Sequence, residues 1–548
     1  MVESKRTVKR SFFSGVLLLS LSTVLVKIVG FVYKIPMLSY LGSVGMGYFH
    51  SAYEMYALFC VIATAGLPVA LSVLVSAALA RNDGKSVGKI FRSAMTVFWI
   101  IGLLGSGVMI LFAPAFCRMI QSENAYDCMI SIAPTVLMIC ISSAYRGYFQ
   151  GYQRMLPTAI SQLIEAFGKL IFGVLFARWA FLNGLEPPKV AAAAGWGLTL
   201  GTAFSALYLF FEKLKFRQSE IYRSCEGMSV SNPISTRWIW RSLARLSIPM
   251  TLGASAVSLT KLIDMAMILR RLQAIGFSEV MANEAYGSYT ALALSVYALL
   301  PSLVNSIALP LIPILSAAIE TGDRERQVAM IRSSYHLTAV VAIPVALGVS
   351  AYAKPILSLL FGREAEAVEL AAPLLSLLGS SIFLSCMITA SNSVLHAYRS
   401  VNLPILSMLA GAGVKIVSAY FLIGSPSIGL LGAPISTFLC NLTVAILNLV
   451  FAARLQKIDD LISVFGRPLA AAVPSIGIPF CIYQLLALRV GENVILTLGS
   501  FALAAVLYLL LACALGAITE EDLLSLPMGK HVCRAAAKIM PTRVQLEK

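Results

Sequence analysis

Charge is scarce in this chain. Of its 548 residues, 12% are Asp, Glu, Lys or Arg and 58% are hydrophobic, and the mean hydropathy is +0.83. Too little polar surface remains to cover a water-soluble core, which excludes a soluble enzyme and leaves lipid as the solvent. Histidine is scarcer still: His50, His336, His396 and His531 are scattered, and the chain holds no H-E-x-x-H, no Walker A sequence and no G-x-S-x-G. Without a catalytic or nucleotide-hydrolysing constellation, the expectation is a non-enzyme that carries no metal and no cofactor. The ten cysteines include no C-x-x-C pair and no His at ligand spacing. Most sit inside apolar runs as small packing residues; Cys117 and Cys128 share one expected external loop, where a disulfide is the alternative. Strand-like alternation is missing too, since the apolar runs are continuous, and a β-barrel is excluded.

What fills the chain is hydrophobic helix. Apolar windows recur from near Phe12 to near Val494, and a hydrocarbon core about 30 Å thick needs roughly 20 helical residues to cross it. About fourteen such windows are present. The expected fold is therefore all-α, a polytopic membrane protein of about fourteen transmembrane helices. The first window has no small-residue cleavage site after it and carries Lys27 and Lys34, so it reads as a retained helix and not a signal peptide.

The formal net charge of +16 could point to nucleic acid, but in a membrane protein Lys and Arg first mark topology. With Lys5, Arg6, Lys9 and Arg10 in the cytoplasm, alternate loops carry Arg81, Lys85, Lys89 and Arg92, then Arg146 and Arg154, then Lys213 to Arg245, and last the C-terminal tail. The positive-inside rule then puts both termini in the cytoplasm and accounts for the surplus charge without a nucleic-acid partner.

The longest polar connection, between Glu212 and Arg245, divides the first twelve helices into two sets of six. One constant shift places Ser76, Ala77 and Ala78 on Ser316, Ala317 and Ala318, and Arg92 and Ser93 on Arg332 and Ser333. A slightly larger shift places Tyr152, Pro157 and Lys169 on Tyr398, Pro404 and Lys415. The expected organisation is an N-terminal six-helix bundle (1–212), a basic linker (213–245), a C-terminal six-helix bundle (246–455), two extra C-terminal helices (456–518) and a tail (519–548). With an even number of helices in each, the bundles are related by a pseudo-twofold axis along the membrane normal and are expected to face each other across a central cavity.

Ionisable groups at membrane depth are costly unless they meet water, a partner or a ligand. Here they are Lys27 and Lys34 in helix one, Glu54 at the start of helix two, Glu165 and Lys169 in helix five, Lys261 and Asp264 in helix seven, and Lys415 in helix eleven. Lys27 and Lys34, seven apart, share a helical face; interfacial snorkelling is the structural alternative for Lys34. Glu165 and Lys169 have the spacing of an intrahelical ion pair, as do Lys261 and Asp264, and mutual neutralisation competes with a functional role in both. Lys415 mirrors Lys169. Five lysines against three carboxylates make a net positive cavity and an anionic substrate the expectation. Pro68, Pro301, Pro310 and Pro313 would bend helices, which suits alternating access and equally suits static kinks.

The segments KIVGFVYK (Lys27 to Lys34), YLG (Tyr40 to Gly42), GMGY (Gly45 to Tyr48), AGLPVA (Ala65 to Ala70) and QGYQRMLP (Gln150 to Pro157), with Gln162, resemble the polysaccharide-transporter branch of the MOP flippase superfamily. The likeness is greatest to its stage V sporulation and MurJ-type lipid II flippase families. The resemblance implies a bacterial plasma-membrane flippase that moves an undecaprenyl-pyrophosphate-linked glycan, with lipid II the leading substrate, for cell-wall or spore-cortex peptidoglycan. Lys27 matches the first arginine of the R-x-x-G-F-x-R pattern of MurJ-type proteins; the second falls on Tyr33, beside Lys34. Lys27, Lys34, Lys261, Lys169 and Lys415 are the expected diphosphate ligands, and Asp264, Glu54 and Glu165 the expected gating or ion-coupling groups, with a monovalent ion as a further partner. The resemblance also implies a groove for the prenyl tail in helices thirteen and fourteen. Two rivals stand beside this: a multidrug or metabolite antiporter of the same superfamily, and a non-transporting scaffold for wall synthesis.

Overall fold

The computed structural model describes residues 19, 21–81, 83–218, 235–308, 311–400, 402–455, 461–491 and 493–518. Among them every regular element is helical and none is a strand. A helix satisfies each backbone N–H and C=O within its own segment, the requirement hydrocarbon imposes. Eleven helical stretches among the described residues are long and apolar enough to cross a membrane. Their outer faces carry side chains that water would not tolerate in such number, Leu488 at 85% exposure and Ile495 at 79% among them. The protein is a multi-pass membrane protein.

Several features separate eleven stretches from about fourteen windows. The run from Phe12 lies partly outside the described residues, which include α1 (Leu21–Val32). That run and the second expected helix meet within α2 (Lys34–Thr64), which bends at Gly42 with φ 63° and ψ 177°. The second span thus begins just after Gly42, and Glu54, expected at its start, sits midway along it. Pro68 lies in the first turn of α3 (Leu67–Ala80), where its missing N–H costs nothing. Helix α9 (Thr236–Ala274) has 39 residues, with Lys261 and Asp264 in its second half. A π-helical turn, Tyr289–Ala293, interrupts the next stretch. Pro310, the tail 519–548 and the linker residues 219–234 lie outside the described residues.

The chain packs as two compact units, Met1–Ala291 and Leu292–Lys548. In the first, α4 (Gly84–Leu111), α5 (Ala113–Ile120), α6 (Tyr126–Gly151), α7 (Leu156–Leu182) and α8 (Pro187–Arg217) are followed by α9 and α10 (Glu279–Ser288). Glycines set its closest approaches: Gly168 meets Gly201 and Gly173 meets Gly197 between α7 and α8. Where α2 crosses α10, Gly47 lies against the Asn283 carbonyl and Gly287 against that of Ser43. Small residues let backbones touch, which is how helices gain contact energy in lipid. At one end, Gln273 Nε2 donates to Gln121 O at 2.6 Å, Ser122 Oγ to Asn283 Oδ1 at 3.0 Å, and the Asn124 N–H to Glu279 Oε1 at 3.0 Å. These bonds latch the α5–α6 connection to the α9–α10 hairpin. Cys117 and Cys128 are both buried and free, so the loop disulfide is not formed.

The second unit contains α11 (Leu294–Ala308), α12 (Leu311–Glu320), α13 (Arg324–Ala351), α14 (Ala353–Phe361), α15 (Ala365–Ala397), α16 (Asn402–Ile423), α17 (Gly432–Leu455), α18 (Leu461–Val490) and α19 (Val494–Ala514). The last two pack on α13 through Ala339, Ile343, Ala471, Ala472 and Ala512, and Tyr508 OH donates to Val340 O at 2.6 Å.

Inside each unit the same punctuation recurs. Helices α4 and α13 each have 28 residues, and each starts on an aspartate, Asp83 or Asp323, that accepts a backbone N–H three residues on at 3.1 Å. Each leads into a short helix, α5 or α14. Tyr152 is followed by Gln153 at φ 58° and Tyr398 by Arg399 at φ 59°, two left-handed residues that close α6 and α15 alike.

Candidate functional site

Helix α1 runs into α2 without a break as far as Gly42. Tyr33 keeps helical dihedrals, its N–H donates to Val29 O at 2.9 Å, and it accepts from the Met37 N–H at 3.3 Å. Lys27 and Lys34 are therefore two turns apart on one helical face, as their spacing predicts. Lys27 is exposed and Lys34 half-buried.

Around Lys34 a group of opposite charges gathers from α2 and α9. Lys34 Nζ donates to the Thr290 carbonyl at 3.3 Å, inside the π turn. Glu54 is within electrostatic range of Lys261, Lys34 and Asp264, and Tyr286 of α10 within range of both Glu54 and Asp264. His50, one turn before Glu54, is buried beside Lys34, with no hydrogen-bond partner for Nε2 among the described residues. Lys34, Glu54, Lys261 and Asp264, chosen from sequence on separate grounds, thus form one neighbourhood.

A second group lies between α6, α7 and α8. Glu165 accepts from Lys169 Nζ through Oε1 and from Arg146 Nη2 through Oε2, each at 2.8 Å. Arg146 also donates through Nε to Ser161 Oγ at 2.9 Å and through Nη2 to Ser205 Oγ at 3.2 Å. The i,i+4 pair expected from the sequence exists, but as part of a triad with one cation to spare. Arg146 is a correction: expected in a loop, it stands in the last two turns of α6 with its side chain 11% exposed. A signal was present, because Ser142 to Phe149 continues the apolar and small-residue helix beyond the expected window. Tyr53, on α2, is within range of Glu54, Glu165 and Lys169 and so links the two groups.

Of the charges expected at membrane depth from the sequence, this unit holds Lys27, Lys34, Lys169 and Lys261 with Glu54, Glu165 and Asp264, and Arg146 joins them. Such an arrangement can hold a polyanion: the cations already bonded to carboxylates are oriented by them, and a phosphate oxygen can replace one such bond with another of the same kind. Lys415 belongs to the second unit, on α16, within range of Tyr297, whose hydroxyl accepts from Asn441 Nδ2 at 3.0 Å. Among the described residues no group of His, Cys, Asp and Glu has the geometry to hold a metal ion.

The profile of the polysaccharide biosynthesis protein family matches residues 12–319, more than half of the chain. The chain belongs to that family. A second profile, MatE, matches residues 284–421. Among curated relatives, stage V sporulation protein B of Bacillus subtilis (strain 168) is 25% identical over 96% of this chain and all of its own length. Lipid II flippase MurJ of the same organism is 24% identical over 74% of this chain and 76% of that protein. The fold is that of a solved lipid II flippase MurJ in an inward closed conformation, with TM-score 0.68 and 14% identity over 90% of this chain and 98% of that one. An inward-facing multidrug resistance MATE family transporter of the MOP superfamily aligns with TM-score 0.60 and 13% identity, over 79% of this chain and 94% of that one. This member of the polysaccharide biosynthesis family thus shares its fold with both of these solved proteins.

Proposed function

We propose that this protein is a flippase that carries an undecaprenyl-pyrophosphate-linked glycan, lipid II foremost, across the bacterial plasma membrane by alternating access. The observation that carries the reading is the surplus of cations over carboxylates at membrane depth in the first unit, with Arg146 and Lys169 sharing one carboxylate. A diphosphate crossing hydrocarbon needs such groups along its path, whereas an exporter of cations would be expected to show the reverse balance. The relatives that bear the names lipid II flippase and stage V sporulation protein B support the same substrate class.

In this reading Lys27, Lys34, Lys261, Lys169 and Lys415 engage the diphosphate, and Glu54, Glu165 and Asp264 hold those cations in place or answer a monovalent ion. Duplicated six-helix halves enter from the cytoplasm, both termini lie on that side, and the products serve cell-wall or spore-cortex peptidoglycan. The test is complementation of a bacterium depleted of its own lipid II flippase, with membrane-inserted Lys34→Ala beside the parent. Rescue by the parent and failure of the variant support the reading. Failure of well-inserted parent removes lipid II, and rescue by both removes Lys34.

A second reading, a substrate:cation antiporter, draws on the MatE match and on Glu54 standing within reach of two lysines and Asp264. It requires Glu54→Gln to abolish activity while Lys34→Ala spares it.

A further inference from the structure

Where α4 begins and α8 ends, the first unit collects cations on aromatic rings, apart from the charges already described. Lys213 Nζ stands 3.5 Å from the centroid of Phe91, with Tyr148 and Tyr145 at 5.5 and 5.8 Å. Three residues on, the buried Phe216 packs on Tyr148, Phe149 and Tyr152 and carries the Arg154 guanidinium 4.7 Å over its ring. Arg92 adjoins Phe91, and Arg217 lies one turn beyond Lys213; both are exposed, and both act electrostatically on Lys213. The adjacent acid, Glu212, is about 100° round the helix and acts on Tyr208.

An aromatic face attracts an ammonium group and fixes its position without neutralising it. Lys213 is thereby held half-buried between two further cations, an arrangement that repels itself until an anion arrives. The next outward side chains along α8, Leu207, Phe210, Phe211 and Leu214, are apolar and exposed. Charge at the helix end above an open apolar flank matches a molecule with a phosphate head and hydrocarbon chains, and a soluble phosphate would leave that flank without use.

We propose that Arg92, Lys213 and Arg217 form a binding site for the phosphate head group of a membrane lipid, floored by Phe91, Tyr145 and Tyr148, with the lipid chains along α8. An anionic phospholipid and a polyprenyl diphosphate share this chemistry. The site does not depend on what the protein transports.

The experiment is native mass spectrometry of the full chain in detergent, titrated separately with phosphatidylglycerol, with phosphatidylcholine of the same chains, and with a polyprenyl diphosphate. The parent binds phosphatidylglycerol more tightly than phosphatidylcholine, and R92Q and R217Q, both at exposed positions, each lower that affinity roughly fivefold. K213R, which keeps the charge over the ring, binds phosphatidylglycerol as the parent does. If the two arginine variants also weaken the polyprenyl diphosphate, the site serves the diphosphate lipid as well; if they weaken phosphatidylglycerol alone, it is a phospholipid site. Equal binding of the two phospholipids, or unchanged affinity for both phosphatidylglycerol and the polyprenyl diphosphate in R92Q/R217Q, overturns the proposal.

Discussion

Lys34 gives a hydrogen bond to the carbonyl of Thr290, 3.3 Å away, at a point where the helix is wound as a π turn. A π turn widens the backbone and displaces carbonyls from their i+4 partners, and such turns recur at functional sites. The bond ties the first turn of α2 to the π turn that follows α10. Lys34→Met removes the donor while keeping the length of the stem, so the variant is expected to insert normally and lose most transport. Rescue assays normalised to membrane protein level measure it; full activity would make Lys34 a structural residue only.

Arg146 and Glu165 should be coupled in stability. Removing one partner of a largely buried pair leaves the other charge uncompensated, at about 3 kcal/mol for Arg146→Ala. Removing both costs less than the sum of the single changes. Thermal unfolding in detergent of R146A, E165A and the double variant reads this coupling, and additive losses would contradict it.

The same substitution is expected to have opposite outcomes at a glycine of the α2–α10 crossing and at one outside it. At Gly287 a Cβ would overlap the Ser43 carbonyl, so Gly287→Ala is expected to destabilise by more than about 1 kcal/mol. At Gly107, within α4, nothing lies within 4 Å, and Gly107→Ala is expected to stabilise by up to about 1 kcal/mol through helix propensity. Melting temperatures of the two variants decide the matter.

Cys117 is expected to resist alkylation in the native protein. It is 2% exposed, and burial pushes its thiol up to about 12, so thiolate is scarce at neutral pH. Maleimide labelling followed by peptide mass spectrometry should find it unmodified until the protein is denatured, and gel mobility should not change on reduction.

Much of this architecture was legible in the sequence because lipid imposes a simple rule, that continuous apolar runs must be helices. Tyr152 and Tyr398, matched in the sequence, both cap the ends of helices, where backbone geometry restricts the residue more than packing does. The charged residues of the first unit were found by depth alone. Arg146 escaped because a basic residue near a span end reads as a loop marker, and only the fold brings α6, α7 and α8 together around it. The Gly47 and Gly287 crossing escaped as well, since a glycine inside an apolar helix carries no mark of which helix it will touch.

The matching aspartate caps of α4 and α13 also show how two stretches of one chain can begin alike and differ inside. A cap acts on its own first turn and is indifferent to what the rest of the helix faces, so it can outlast extensive drift of the interior. Two units whose helices start alike differ in their charges: the first holds the triad around Glu165, and the second holds Lys415 within range of Tyr297.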